Sequence, residues 1–137
     1  MPLLFLLGIA VGCSNPDQQI EAIGNKMAEA QQLQKQTEAK VDRAYGLIQL
    51  LYQRSRSEEN QAKVDYLSWV DSLEMAVDST VLWAGRLRMP NMRGIPEDKV
   101  NEHLDQAEGY LDTVLVSGNR HHSNLDRNIE HVKDLLK

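Results

Sequence analysis

Aromatic residues are scarce in this chain, with one Phe, two Trp and four Tyr in 137 residues. Cysteine is scarcer still: Cys13 stands alone, which excludes an intrachain disulfide framework. Basic residues are outnumbered, 15 Lys and Arg against 20 Asp and Glu, for a net charge of −5. An acidic chain with few aromatics lacks both the positive footprint that phosphate backbones need and the platforms on which bases stack, so nucleic acid is not an expected partner. No apolar run approaches the roughly 20 residues of a membrane-spanning helix. Strand-like alternation and solenoid repeats are missing. A Gly-rich phosphate loop, a GxSxG elbow, an HExxH pair and a His-x₃-His pair are missing too. The pattern predicts a protein that is not an enzyme and holds no metal or cofactor.

What is present favours helix. Ala, Leu, Gln, Glu, Asp and Lys dominate the interior of the chain, and straight-chain residues lose little rotamer freedom in a helix. Asn15-Pro16 opens the first long segment, with Asn as cap and Pro at the first position. Apolar or small residues then recur at a 3-4 spacing: Ile20, Ile23, Met27, Ala30, Val41, Ala44, Ile48 and Leu51. That spacing makes one seam of a coiled-coil-like helix. Gln34 and Thr37 interrupt it. A polar pair in a seam either fixes register or marks a length that touches little, and the Gln-rich flanks favour the second reading. At about 1.5 Å per residue the first helix could reach about 55–60 Å, longer than the third, so its N-terminal half is expected to project beyond the body.

Ser55 and Ser57 precede acids and read as start signals for a second helix over about 58–88. Its broad apolar face carries Tyr66, Trp69, Val70, Leu73, Val77, Val81, Trp83 and Leu87. Trp69 and Trp83 are two heptads apart, hence on one stripe and in the core. MPNMRGIP, with two prolines and a glycine, is the clearest loop. Arg86, Arg88 and Arg93, with Met89 and Met92, gather in and beside it. Methionine adapts to varied partners and arginine suits interfaces, so these five are the candidate interaction residues. A third helix opens at Pro96-Glu97-Asp98 with a seam of Val100, Leu104, Ala107, Leu111 and Val114. Ser117-Gly118-Asn119 is expected to end it, with Gly118 as a left-handed cap. Ser123 and Asp126 resemble a capping box for a last short helix, which could instead continue the third as one kinked arm. The expected fold is all-α: an antiparallel up-and-down bundle of three to four helices with a long first helix, residues 13–137 forming one domain.

The histidines offer little metal chemistry. His103 stands next to Glu102, so the two point to different faces, and His121 and His122 lie beside a polar turn where exposure is expected. Glu97, Asp98, Glu102, Asp105, Glu108 and Asp112 face only Lys99 within their own segment, and form a solvated acidic face.

The start of the chain carries the one resemblance. Ala10-Val11-Gly12-Cys13, after the apolar LLFLLGIAV, resembles the lipobox of bacterial lipoproteins. The resemblance implies that residues 1–12 are a signal peptide, and that Cys13 is cleaved free and lipidated at its sulfur and new amino end. Ser14 after it implies sorting to the outer membrane, facing the periplasm. Ala10 stands where the family more often has Leu, and Met1-Pro2 leads into the apolar run with no basic residue before Lys26. The second reading of residues 1–12 is accordingly an uncleaved apolar arm. The expected function is a small membrane-tethered lipoprotein that serves as a protein–protein interaction or scaffolding module at the cell envelope. The alternative is an accessory subunit of a larger viral or membrane assembly whose arm packs into a neighbour.

Overall fold

The computed structural model describes residues 16–137, in which three helices pack against one another and no strand forms. Helix α1 is Pro16–Arg56, α2 is Asn60–Arg86, and a 3₁₀ turn at Glu97–Lys99 leads into α3, Val100–Leu135. The all-α bundle with a long first helix is the fold expected from the periodicity. Asp17 in the first turn of α1 and Arg54 and Arg56 in its last complement the helix dipole.

The α1–α2 connection is made differently from the expectation. Ser55 and Ser57 do not cap α2. The Ser55 hydroxyl donates back to the Tyr52 carbonyl at 2.7 Å and that of Ser57 to Arg54 at 3.0 Å, so both occupy carbonyls at the end of α1. Asn60 takes up the reversal with φ of 60°, a left-handed conformation that Asn tolerates better than most residues.

The described residues fall into two compact units. One holds α1 up to Gln31 together with residues 88–115; the other holds residues 32–87 and 116–137. In the first, Ile23, Leu104, Ala107 and Leu111 are buried, with Met27, Met92 and Val100 packed against them. Within this unit the N-terminal part of α1 is thus covered by α3 and the loop before it. Polar contacts fix its pairing with α3. Gln19 Nε2 donates to Asp105 at 2.9 Å, and Lys26 bridges Glu108 and Asp112 at 2.8 and 2.7 Å. The acidic face of α3 is therefore partly paired. Burial works against the Lys26 charge, but its hydrogen bonds and the fields of Asp112 and Glu108 outweigh that and raise its pKa.

In the second unit, Ala44, Ile48 and Leu51 of α1 meet Val70, Leu73, Ala76 and Val77 of α2 and Leu125, Ile129 and Val132 of α3. Lys40 pairs with Asp126 at 3.0 Å and Arg54 donates to the Leu136 carbonyl at 3.0 Å. Numbers rise together on α1 and α3, so these helices are parallel. They run in opposite senses on α1 and α2, where Gln34 reaches the Ala84 carbonyl and Tyr52 reaches Glu74. The topology is up-down-up.

The expected break at Ser117-Gly118-Asn119 does not occur: α3 is continuous through it, and Gly118 has no positive φ. Ser123 and Asp126 accordingly sit inside a helix rather than at a cap. The reason lies in packing. Gly118 is buried, and a Cβ added there would come within 2.7 Å of Trp83 Cε2 and 2.9 Å of Cη2, and closer still to Cζ2. The indole lies against the bare backbone of α3, so glycine is required for contact rather than for a turn. Gly46, on the exposed side of α1, has nothing within 4 Å of an added Cβ. The two glycines should therefore respond oppositely to alanine. Gly118→Ala is expected to lower stability by about 1–3 kcal/mol through overpacking, and Gly46→Ala to raise it by about 0.5–1 kcal/mol through helix propensity. Urea unfolding of both variants checks this, and a stabilising Gly118→Ala would refute the contact.

Candidate functional site

The seam of α1 contains residues seven apart that are all buried: Ile23, Ala30, Thr37, Ala44 and Leu51. Thr37 is therefore a core position, 5% exposed, and the polar interruption in the seam does not mark a length that touches little. On α3 the 3-4 spacing continues past Leu111 through Leu115, Gly118, His122, Leu125, Ile129 and Val132, all of them buried. His122, expected on a polar turn, is 3% exposed. On α2 the buried position is Thr80 rather than Val81, which is exposed.

These three polar residues form one layer in the second unit. Thr80 Oγ1 donates to the Ala76 carbonyl at 2.7 Å and lies 3.4 Å from the carbonyl of His121. Thr37 Oγ1 lies 3.1 Å from the Leu33 carbonyl and 3.1 Å from His122 Nε2. A hydroxyl has one proton, and a carbonyl can only accept. The Thr37 proton therefore goes to Leu33, and the same oxygen accepts from His122 Nε2–H. This fixes the tautomer: Nε2 carries the proton and Nδ1 bears a lone pair. That Nδ1 is the one buried side-chain nitrogen or oxygen without a hydrogen-bond partner among the described residues. Trp83 packs edge-on to the ring, centroids 5.7 Å apart at 87°. Burial is the main cause that lowers the His122 pKa; Lys40 and His121 lower it further, against Asp126 and the Leu33 carbonyl, which raise it. Nearby, Gln34 Nε2 donates to the Ala84 carbonyl at 2.8 Å. The same carbonyl also accepts from the Leu87 amide at 3.4 Å, so Gln34 adds a second donor at the end of α2.

Trp83 is buried at 9%, as its stripe predicts, whereas Trp69 is half-buried and stacks on His131 at 4.1 Å and 24°.

The five candidate interaction residues divide. Arg86, Arg88 and Arg93 are exposed, and Met89 is half-buried. Met92 packs against the Ile23–Leu104 cluster and serves the core of the first unit. The loop itself is pinned to α3: the Arg88 amide donates to Tyr110 Oη at 3.1 Å and His103 Nε2 donates to the Asn91 carbonyl at 2.8 Å. Asn91 Oδ1 in turn accepts from the Arg93 amide at 3.0 Å. Cys13 and residues 1–12 lie outside the described residues. Among the described residues, no group of three or more His, Cys, Asp or Glu could hold a metal ion, and no helix is long and apolar enough to cross a membrane.

No protein-family model, curated protein or solved structure matches this chain.

The polar layer makes a thermodynamic prediction. Thr37→Val leaves the buried Nε2–H without an acceptor and should cost about 1–3 kcal/mol. His122→Leu removes the donor while Thr37 keeps its bond to Leu33. In the double variant the layer is apolar on both helices. The two changes should therefore be coupled, the pair costing less than the sum by at least about 0.5 kcal/mol. A double-mutant cycle by urea unfolding measures it, and additive losses would show that the contact carries no energy.

Proposed function

We propose that this chain is a small lipid-anchored helical module of the bacterial envelope, tethered at Cys13, that acts by docking to other proteins rather than by catalysing a reaction. The observation that carries the reading is the Ala10-Val11-Gly12-Cys13 stretch behind an apolar run. Two residues, Ser14 and Asn15, separate the anchor cysteine from Pro16, the first described residue of α1. Each lipid CH₂ in the bilayer contributes roughly 0.8 kcal/mol, and several chains together hold a protein stably on a membrane. For docking, the support is the loop after α2. Arg88 and Arg93 are exposed residues of that loop, and Arg86, the last residue of α2, is exposed as well. Arginine at the fully packed centre of an interface is a common anchor of binding energy. The periplasmic face of an outer membrane is the address that Ser14 favours.

Intact-mass spectrometry of the full chain expressed in a Gram-negative host tests the anchor. The expected product starts at Cys13 and carries two or three acyl chains, and Cys13→Ser should abolish acylation and release the protein from the membrane fraction. An unmodified wild-type chain that retains residues 1–12 would refute the tether and favour an uncleaved arm that packs into a neighbouring subunit.

A further inference from the structure

His122 sits in a place that suits a neutral imidazole and no other form of it. The ring is buried in the seam of the second unit, with Nε2–H held by Thr37 on α1 and the Trp83 ring of α2 set at right angles to it. Its second nitrogen faces no hydrogen-bond partner. Adding a proton there would create a buried N–H with no acceptor and a buried charge with no counter-ion in contact, two of the costliest events in a protein interior. We propose that the Thr37–His122 contact is an acid-released latch: protonation of His122 loosens the second unit as the medium falls from neutral to mildly acidic pH.

The surrounding groups do not rescue the charged ring. On α1, Lys40 repels it. On α3, Asp126 attracts it, but that carboxylate is already paired with Lys40 at 3.0 Å, and the neighbouring His121 adds a further repulsion. The Leu33 carbonyl favours the charge but already accepts from Thr37. From α2 the ring meets Trp83, while the Thr80 hydroxyl is engaged with Ala76 and His121 carbonyls. Trp83 in turn occupies the hollow of Gly118, so a ring that must move to reach water disturbs the tightest contact of α3.

The sign follows from proton linkage. A base that binds its proton less readily when folded makes the unfolded state the greater proton binder. Stability is then full above the ordinary histidine value of about 6.5 and declines as pH falls through it toward the folded value. Carboxylates ordinarily change charge nearer to about pH 4, so the window between about pH 7 and 5 belongs to histidine.

The test is a pH series on the full chain. In the wild type, the urea midpoint should fall between about pH 7.5 and about pH 5.5, and amide exchange across 118–129 should quicken beyond the intrinsic change. His122→Leu keeps His103, His121 and His131 but loses the latch, so its midpoint should fall by less than that of the wild type over the same range. A parallel decline in wild type and variant would overturn the proposal. Should the variant not fold, nitrogen-15 spectra of the wild-type imidazole decide alone. A neutral Nε2–H ring that persists below about pH 6.5 supports the latch, and protonation at or above that pH overturns it.

Discussion

The Trp83 indole occupies the place where a side chain on Gly118 would be, and the rest of the second unit depends on that contact. A bare backbone lets a wide aromatic come close to α3, and the closeness makes Ser117-Gly118-Asn119 part of a helix. Glycine in a helix interior costs roughly 1 kcal/mol against alanine, and Asn and Ser prefer caps and turns. Those local costs are overcome by burying one face of the largest side chain type in the chain. With α3 unbroken, its residues from 116 onward can run beside α1 within the second unit.

Next to this contact lies the polar layer of Thr37, Thr80 and His122. In a seam of Ile, Leu, Val and Ala, one helix can slide past another by a heptad at little energetic cost. A hydroxyl that must face an imidazole allows only one register. Buried polar groups of this kind cost stability relative to an apolar core and are retained where they specify alignment. Here that specification joins two parallel helices whose connection runs through a third, so no short turn sets their register directly. The ion pairs of Lys26 and Lys40 with α3 agree with the same alignment but are partly exposed, and such pairs contribute about 0–1 kcal/mol each.

Much of the architecture was legible in the periodicity: the seam of α1, the face of α2 and the loop at 87–96 all follow from apolar spacing and from Pro and Gly. Residues whose local preference opposes their packing were not. Ser-Gly-Asn before Arg-His-His has the composition of a helix end, and only the continued 3-4 spacing through Gly118, His122, Leu125 and Ile129 carries the opposite signal. Thr37 was misread because Gln34 stands beside it and is exposed, while Leu33, one residue earlier, takes the buried place. Met92 looks like a loop residue and behaves as core because the loop is tied back to α3 by Tyr110 and His103. The Ala10-Val11-Gly12-Cys13 stretch is legible only as a motif.

Solution NMR of the segment around Gly118 tests the central contact most directly. The account predicts helical carbon shifts without interruption from Val114 to Leu125, and nuclear Overhauser contacts between the Gly118 Hα protons and the six-membered ring of Trp83. Coil-like shifts at Ser117-Gly118-Asn119, with no contact from Gly118 to the indole, would contradict it.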